Sequence, residues 1–225
     1  MRLTTSLIIA GLVSLTAIAV ADIKFAPKPV KASEAEINLE KDVNATSSMI
    51  SRLQIAKNYL ERHPNDVPMG RFASDVIAQN SERKADAVDY LKQFSEIHLR
   101  EIGPQYYYAR SVDDTLIWDQ KARWALAKDS TNYWGWLMWM EAEWHKSKPD
   151  LDAVVQRLEH AVTLDPSRPE GYYFLGDAYG EQGNWPDAIE TYQAGLICDP
   201  TNDFIRQHLE DAKDRLKKSE PKPDK

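Results

Sequence analysis

The side chains that most often carry catalysis or bind metal ions are few and scattered in this chain. Five histidines and one cysteine occur among 225 residues. They are His63, His98, His145, His160, His208 and Cys198. No two histidines stand at a metal-ligand spacing with a matching carboxylate, and zinc sites built on cysteine need at least a pair. The pattern predicts no metal site and no bound cofactor.

Motifs for covalent or phosphate chemistry are also absent from the sequence. There is no glycine-rich phosphate loop and no serine nucleophile elbow. Carboxylates are frequent, as at Glu34, Glu36, Glu40 and Asp42, but such runs are typical of a solvated helix face. We therefore expect a protein that is not an enzyme.

Composition and charge limit the fold class and the partners. Hydrophobic residues make up 43% of the chain and charged residues 28%, which is typical of a soluble folded protein. Only 9 glycines are present, and few apolar runs alternate, so helices are favoured over sheet. The formal net charge of −7 and the lack of a basic stripe exclude nucleic acid as an expected partner.

Residues 1–21 have the pattern of a signal peptide. Arg2 precedes an apolar stretch, and Ala19-Val20-Ala21 offers the small-x-small site that signal peptidase cuts. Cleavage there predicts a periplasmic or secreted protein. The alternative is an uncleaved N-terminal anchor in the inner membrane, facing the periplasm, and membrane contact is expected only through that anchor.

The next part of the chain divides into a tether and a helical region. Residues 22–45 are predicted to be a tether, within which the spacing of Ser33 and Glu36 indicates the start of a short helix. Residues 46–130 form a helical N-terminal region. Gly103-Pro104 is expected to end one of its helices, and Tyr106-Tyr107-Tyr108 is expected in a less regular segment.

A periodic pattern occupies the carboxyl-terminal third. Tyr172, Leu175 and Tyr179 recur at intervals of three and four, so they form one stripe on a helix. Residues 185–196 carry a second stripe, and Gly183 suits the tight turn between the two helices. The tetrapeptides at 129–132, 165–168 and 199–202 match one another. Residues 131–202 are therefore predicted to hold two repeats, 203–217 a capping helix and 218–225 a disordered tail.

The typed positions at 169–200 resemble the tetratricopeptide repeat, a helix–turn–helix unit of about 34 residues. The resemblance implies an all-α fold, an α-solenoid of such repeats that follows an irregular helical N-terminal half. A single unit cannot bury its apolar face alone, so it stacks on neighbours and usually binds another protein.

In this family the first helix of each unit lines a concave surface, and its outward positions are candidates for binding a partner. Here those positions are Trp134, Leu137, Glu141, Trp144, Tyr173, Asp177 and Glu181. Trp136 and Trp139 are expected in the core instead. The aromatic and acidic mixture suits a protein or peptide with apolar anchors and some positive charge.

Three functions follow as expectations. The first is a non-catalytic scaffold or escort that holds a partner polypeptide in the bacterial cell envelope. The second keeps the N-terminal anchor and resembles the repeat subunits of c-type cytochrome biogenesis that present apocytochrome to the haem-attachment machinery. The third is an envelope enzyme whose N-terminal half would need a polar cluster near residues 106–114, with the repeats as a docking arm.

Overall fold

A computed structural model describes residues 25–29, 34–112 and 114–219, and the regular secondary structure in these ranges is helical. They form two compact units. The carboxyl-terminal unit contains residues 25–29 and 166–219, and the central unit contains the described residues between them. The predicted signal peptide and residues 220–225 of the predicted tail lie outside the described residues. Among the described helices, none combines the length and apolar character needed to cross a bilayer.

The described part of the central unit contains eight helices, and each of the first seven packs on the next. They are α1 (Glu34–Asn44), α2 (Met49–Arg62), α3 (Val67–Asn80), α4 (Lys84–Ile97), α5 (Ile102–Ser111), α6 (Thr115–Lys128), α7 (Tyr133–Trp144) and α8 (Leu151–Leu164). In addition, α5 packs on both α3 and α7. Helix α5 therefore contacts four helices, α3 and α4 before it in the sequence and α6 and α7 after it.

Side chains at the N-caps determine where most of these helices begin. Ser48, Asp66, Asp114, Asn132 and Asp150 each accept a hydrogen bond from a backbone N–H in the first turn of the helix that follows. Those amides have no partner within the helix, so each cap contributes about 1 kcal/mol.

Part of the predicted tether belongs to the folded central unit. The spacing of Ser33 and Glu36 indicated a short helix, and α1 is present from Glu34 to Asn44. Leu39 and Val43 on this helix are 3% and 5% exposed. Residues 34–44 are therefore packed rather than tethering.

The expectation of an irregular segment around Tyr106–Tyr108 is wrong, because these residues lie within α5. Pro104 is accommodated in the first turn, where its missing N–H breaks no hydrogen bond. Gly103 is required at this point, since a Cβ there would lie 2.1 Å from the Pro64 carbonyl oxygen. The Tyr107 hydroxyl lies 3.1 Å from that oxygen and 3.0 Å from the carbonyl oxygen of Asp66. The glycine and the tyrosine together fix α5 against the loop that follows α2.

The carboxyl-terminal unit contains α9 (Pro169–Glu181), α10 (Trp185–Cys198) and α11 (Asp203–Ser219), and α10 packs on both of the others. A Cβ on Gly176 would lie 2.5 Å from the ring of Tyr192, so a residue without a side chain lets α9 and α10 approach closely. Gly183 has a φ of +76°, the left-handed conformation that the tight turn requires. The role of Gly183 agrees with the sequence analysis.

Candidate functional site

Aromatic side chains of α9 and α11 meet on one side of the carboxyl-terminal unit. The ring centroid of Tyr173 lies 4.8 Å from that of Phe204 and 5.1 Å from that of His208. Phe204 and His208 are one helical turn apart, and their centroids are 4.7 Å apart. Phe204 is 56% exposed, so the cluster offers a large apolar side chain to solvent.

A carboxylate adjoins this aromatic cluster. Asp177 accepts a hydrogen bond from the Tyr192 hydroxyl, and the same oxygen lies 3.1 Å from Nδ1 of His208. Burial, and then the hydrogen bond to Asp177, raise the pKa of the Tyr192 hydroxyl, so it stays protonated and remains a donor. The position of Asp177 is therefore fixed from two helices. We call the surface formed by Tyr173, Asp177, Phe204 and His208 the α9–α11 face.

Further carboxylates surround the α9–α11 face. Glu181 lies at the end of α9 and Asp211 lies one turn beyond His208, and both are exposed. Arg206 and Lys213, the nearby cations of α11, pair with Asp203 and Glu210 on their own helix. The face thus combines aromatic surface with negative charge.

Three of the predicted partner-binding residues lie at this site. Tyr173 and Asp177 form part of the α9–α11 face, and Glu181 lies at its edge. They are half-buried, half-buried and exposed, respectively. Their role in binding a partner stays a prediction.

The outward orientation expected for Trp134 and Leu137 is wrong. Both are buried, at 8% and 0% exposure. Trp134 meets Tyr106 edge-on at 5.4 Å, since α7 packs on α5 as well as on α6 and α8. The two positions are therefore occupied by packing within the central unit.

The other two predicted residues of α7, Glu141 and Trp144, are half-buried. Glu141 has a side chain only 14% exposed and lies 3.1 Å from His145. Trp136 and Trp139, expected in the core, are half-buried as well. The Trp136 indole N–H donates to the Ser130 carbonyl oxygen at 2.9 Å. The Trp136 ring also lies 5.3 Å from that of Trp139 and 4.3 Å from that of His160, between centroids.

The sequence analysis missed Phe204 and His208 as site residues because it treated α11 only as a cap. A signal was present in the sequence. The tetrapeptide at 199–202 matches those at 129–132 and 165–168, so α11 stands where the first helix of a further unit would stand. Its outward positions then belong to the same surface as Tyr173 and Asp177.

Metal-binding geometry is absent from the part of the chain that the structure describes. No group of three or more histidine, cysteine, aspartate or glutamate side chains is arranged there to hold a metal ion. The site's polar groups are instead committed to one another and to the surrounding aromatic rings.

Comparison with known proteins identifies one repeat in this chain. Residues 169–202, which contain α9 and α10, match the family model of the tetratricopeptide repeat. The chain therefore contains a tetratricopeptide repeat at these residues.

Two curated relatives match a short part of this chain. The small glutamine-rich tetratricopeptide repeat-containing protein 2 of Mycosarcoma maydis is 31% identical over 68 residues, covering 30% of this chain and 19% of that protein. The chloroplastic tetratricopeptide repeat domain-containing protein PYG7 of Arabidopsis thaliana is 34% identical over 67 residues, covering 30% of this chain and 22% of that protein. The match thus spans about a fifth of each relative.

A solved structure extends the similarity to most of the fold. A thermophilic tetratricopeptide-repeat protein of Thermus thermophilus aligns over 80% of this chain and 98% of its own, with a TM-score of 0.55 and 17% identity. At that identity the likeness concerns the fold alone. The predicted all-α fold of tetratricopeptide helix–turn–helix repeats is confirmed.

Proposed function

We propose that this protein, which contains a tetratricopeptide repeat, is a non-catalytic scaffold or escort that holds a partner polypeptide on the α9–α11 face. One observation carries the proposal: Phe204 is 56% exposed beside Tyr173, next to a carboxylate that two other side chains hold in place. Exposed aromatic side chains next to fixed polar groups are typical of interface hot spots.

The chemistry of the face defines the partner. An apolar or aromatic side chain of the partner would pack on Phe204 and Tyr173, where an aromatic pair adds about 0.5–1.5 kcal/mol beyond area burial. A lysine or arginine beside that anchor would meet Asp177, Glu181 or Asp211. The partner is therefore a polypeptide segment with apolar anchors and positive charge.

Short synthetic peptides test this proposal directly. One peptide carries phenylalanine and leucine anchors flanked by lysines, and a second replaces every lysine with glutamate. We expect fluorescence anisotropy to show binding of the lysine peptide only. Phe204→Ala should weaken that binding roughly tenfold, the loss expected for an interface anchor worth about 1–2 kcal/mol.

Leu116→Ala provides the matched control, because Leu116 is 78% exposed and belongs to the central unit, whereas the α9–α11 face belongs to the carboxyl-terminal unit. It should leave the affinity for the lysine peptide unchanged. Equal binding of the two peptides, or equal losses in the two variants, would contradict the proposed site.

The cellular location remains part of the proposal. The pattern of residues 1–21 supports export to the periplasm or secretion with cleavage after Ala21. The amino-terminal residue of the protein purified from cells checks this point. Asp22 at the terminus is the expected result, whereas Met1 retained in the membrane fraction would contradict cleavage.

A retained Met1 would favour the second candidate, a membrane-anchored subunit of c-type cytochrome biogenesis that presents apocytochrome. The acidic and aromatic character of the α9–α11 face is the observation that supports it, since a helical basic segment of such a client fits the same chemistry. Anisotropy with a peptide from the basic segment of an apocytochrome c tests this candidate. Unchanged affinity in Phe204→Ala would count against it.

A further inference from the structure

The short segment 25–29 lies against the carboxyl-terminal unit, far in sequence from the helices it contacts. The Phe25 ring meets Tyr172 edge-on, with centroids 6.1 Å apart and planes at 73°. The backbone N–H of Lys28 donates to the carbonyl oxygen of Pro166 at 3.0 Å. These contacts connect residues separated by more than half the chain.

The Pro166 carbonyl oxygen is a shared acceptor. It also accepts the Tyr172 hydroxyl at 3.1 Å and lies 3.4 Å from the Cys198 sulfur. The segment, the start of α9 and the end of α10 therefore converge on one backbone oxygen. Tyr172 and Cys198 are both fully buried at this point.

The sequence of the segment restricts how it can make this contact. Pro27 and Pro29 have no N–H, so Lys28 holds the sole backbone donor between them, and that donor is used. A residue before proline is restricted to extended conformations, which leaves the segment stiff. Little conformational entropy is then lost when it docks.

The contact also lies where the chain enters and leaves the carboxyl-terminal unit. The chain leaves this unit after Pro29 and returns to it at Pro166. The hydrogen bond from the Lys28 N–H to the Pro166 carbonyl oxygen therefore connects the end of the unit's first piece with the start of its second piece. Together with the contact between Phe25 and Tyr172, it holds residues 25–29 against residues 166–219.

We propose that residues 25–29 are a strap, an internal ligand that closes the carboxyl-terminal unit over the Pro166 turn, and that release of the strap makes the buried Cys198 thiol accessible. The docking surface is the Pro166 carbonyl and the edge of Tyr172. Its occupant is this chain's own extended segment, with Phe25 as the anchor and the Lys28 amide as the specific donor.

The single cysteine of the chain makes the strap measurable, because a thiol reagent labels only Cys198. Lys28→Pro removes the donated N–H in a position that proline's extended conformation fits. Lys28→Ala is its control, since it keeps the N–H and removes only the side chain. Losing one hydrogen bond should raise the labelling rate about fivefold in Lys28→Pro and leave Lys28→Ala like the parent protein.

Phe25→Ala is the second variant, and it should also raise the rate, since it removes the anchor without touching the hydrogen bond. Low concentrations of urea should change the labelling rates of Cys198 little, because release of the strap exposes much less surface than global unfolding does. An unchanged rate in both Lys28→Pro and Phe25→Ala would overturn the proposal. Equal rates in Lys28→Pro and Lys28→Ala would show that the amide is not the specific donor and would likewise refute it.

Discussion

At the scale of single residues, Glu143 on α7 shows how a buried carboxylate is satisfied by charged and polar donors. It is 7% exposed. Its carboxylate accepts hydrogen bonds from Lys146 Nζ at 2.7 Å, Arg157 at 3.3 Å and the Asp150 amide at 3.2 Å. A buried carboxylate with three donors is satisfied, whereas one without them would be costly.

The pKa of Glu143 gives this arrangement a measurable consequence. Burial alone raises the pKa, but the hydrogen bonds from Lys146 and Asp150 and the nearby charges bring it below the ordinary value of 4.5. A carboxyl with a depressed folded-state pKa adds stability that is fully present above its unfolded value. That contribution is lost as the pH falls through the folded-state pKa.

We therefore expect Glu143→Gln to lower the unfolding free energy at pH 7 by about 1–3 kcal/mol. It should also flatten the loss of stability below about pH 4.5, because the titrating group is gone. Urea unfolding followed by tryptophan fluorescence at a series of pH values measures both effects. Glu210→Gln, which alters an exposed pair with Lys213, is the control, and a loss as large as that of Glu143→Gln would refute this account.

At the scale of the helices, the α9–α10 pair depends on the absence of a side chain at Gly176. Tyr192 fills that space and is held there by its hydrogen bond to Asp177, so the ring cannot yield cheaply. Gly176→Ala should therefore lower stability by about 1–3 kcal/mol despite alanine's better helix propensity. Thermal unfolding of the variant, followed by circular dichroism, checks the magnitude.

Gly180→Ala is the matched control on the same helix. Its added Cβ would lie 3.2 Å from the half-buried Trp185 ring, which has room to shift. The gain in helix propensity should then offset the mild crowding and leave stability within about 0.5 kcal/mol of the parent protein. Equal destabilisation by the two substitutions would show that the close approach at Gly176 has no special role.

The same helices show how far sequence reasoning extends. The stripe of Tyr172, Leu175 and Tyr179 and the turn glycine Gly183 predicted α9 and α10. Each of these positions has one main requirement, which is burial for the stripe and a left-handed conformation for the glycine. The prediction that Gly103-Pro104 ends a helix was wrong, because these two residues lie in the first turn of α5. The prediction that Trp134 faces outward was also wrong. Since α7 is apolar nearly all round, hydrophobic periodicity does not show which of its side chains face the neighbouring helices.

The candidate site was predictable only in part for a related reason. Tyr173 and Asp177 follow from positions within a recognised repeat. Phe204 and His208 follow only when α11 is treated as the first helix of a further unit, which its amphipathic pattern alone does not indicate. Which aromatic side chain remains exposed depends on packing between helices, and this information is not local in the sequence.

At the scale of the whole molecule, the net charge of −7 adds a long-range attraction to the local chemistry of the α9–α11 face. Such a field accelerates the encounter with a basic segment, and salt screens it. Raising the ionic strength from about 0.01 M to about 1 M shortens the Debye length from about 30 Å to about 3 Å. The association rate constant of the lysine peptide should then fall at least tenfold.

A peptide with glutamine in place of each lysine separates this effect from apolar contact. Its anchors are the same, so it should bind more weakly and with an association rate that salt leaves nearly unchanged. Stopped-flow fluorescence of both peptides measures the two rates. If salt slowed the glutamine peptide as much as the lysine peptide, the acidic field would have no part in recognition, and the aromatic side chains alone would account for binding.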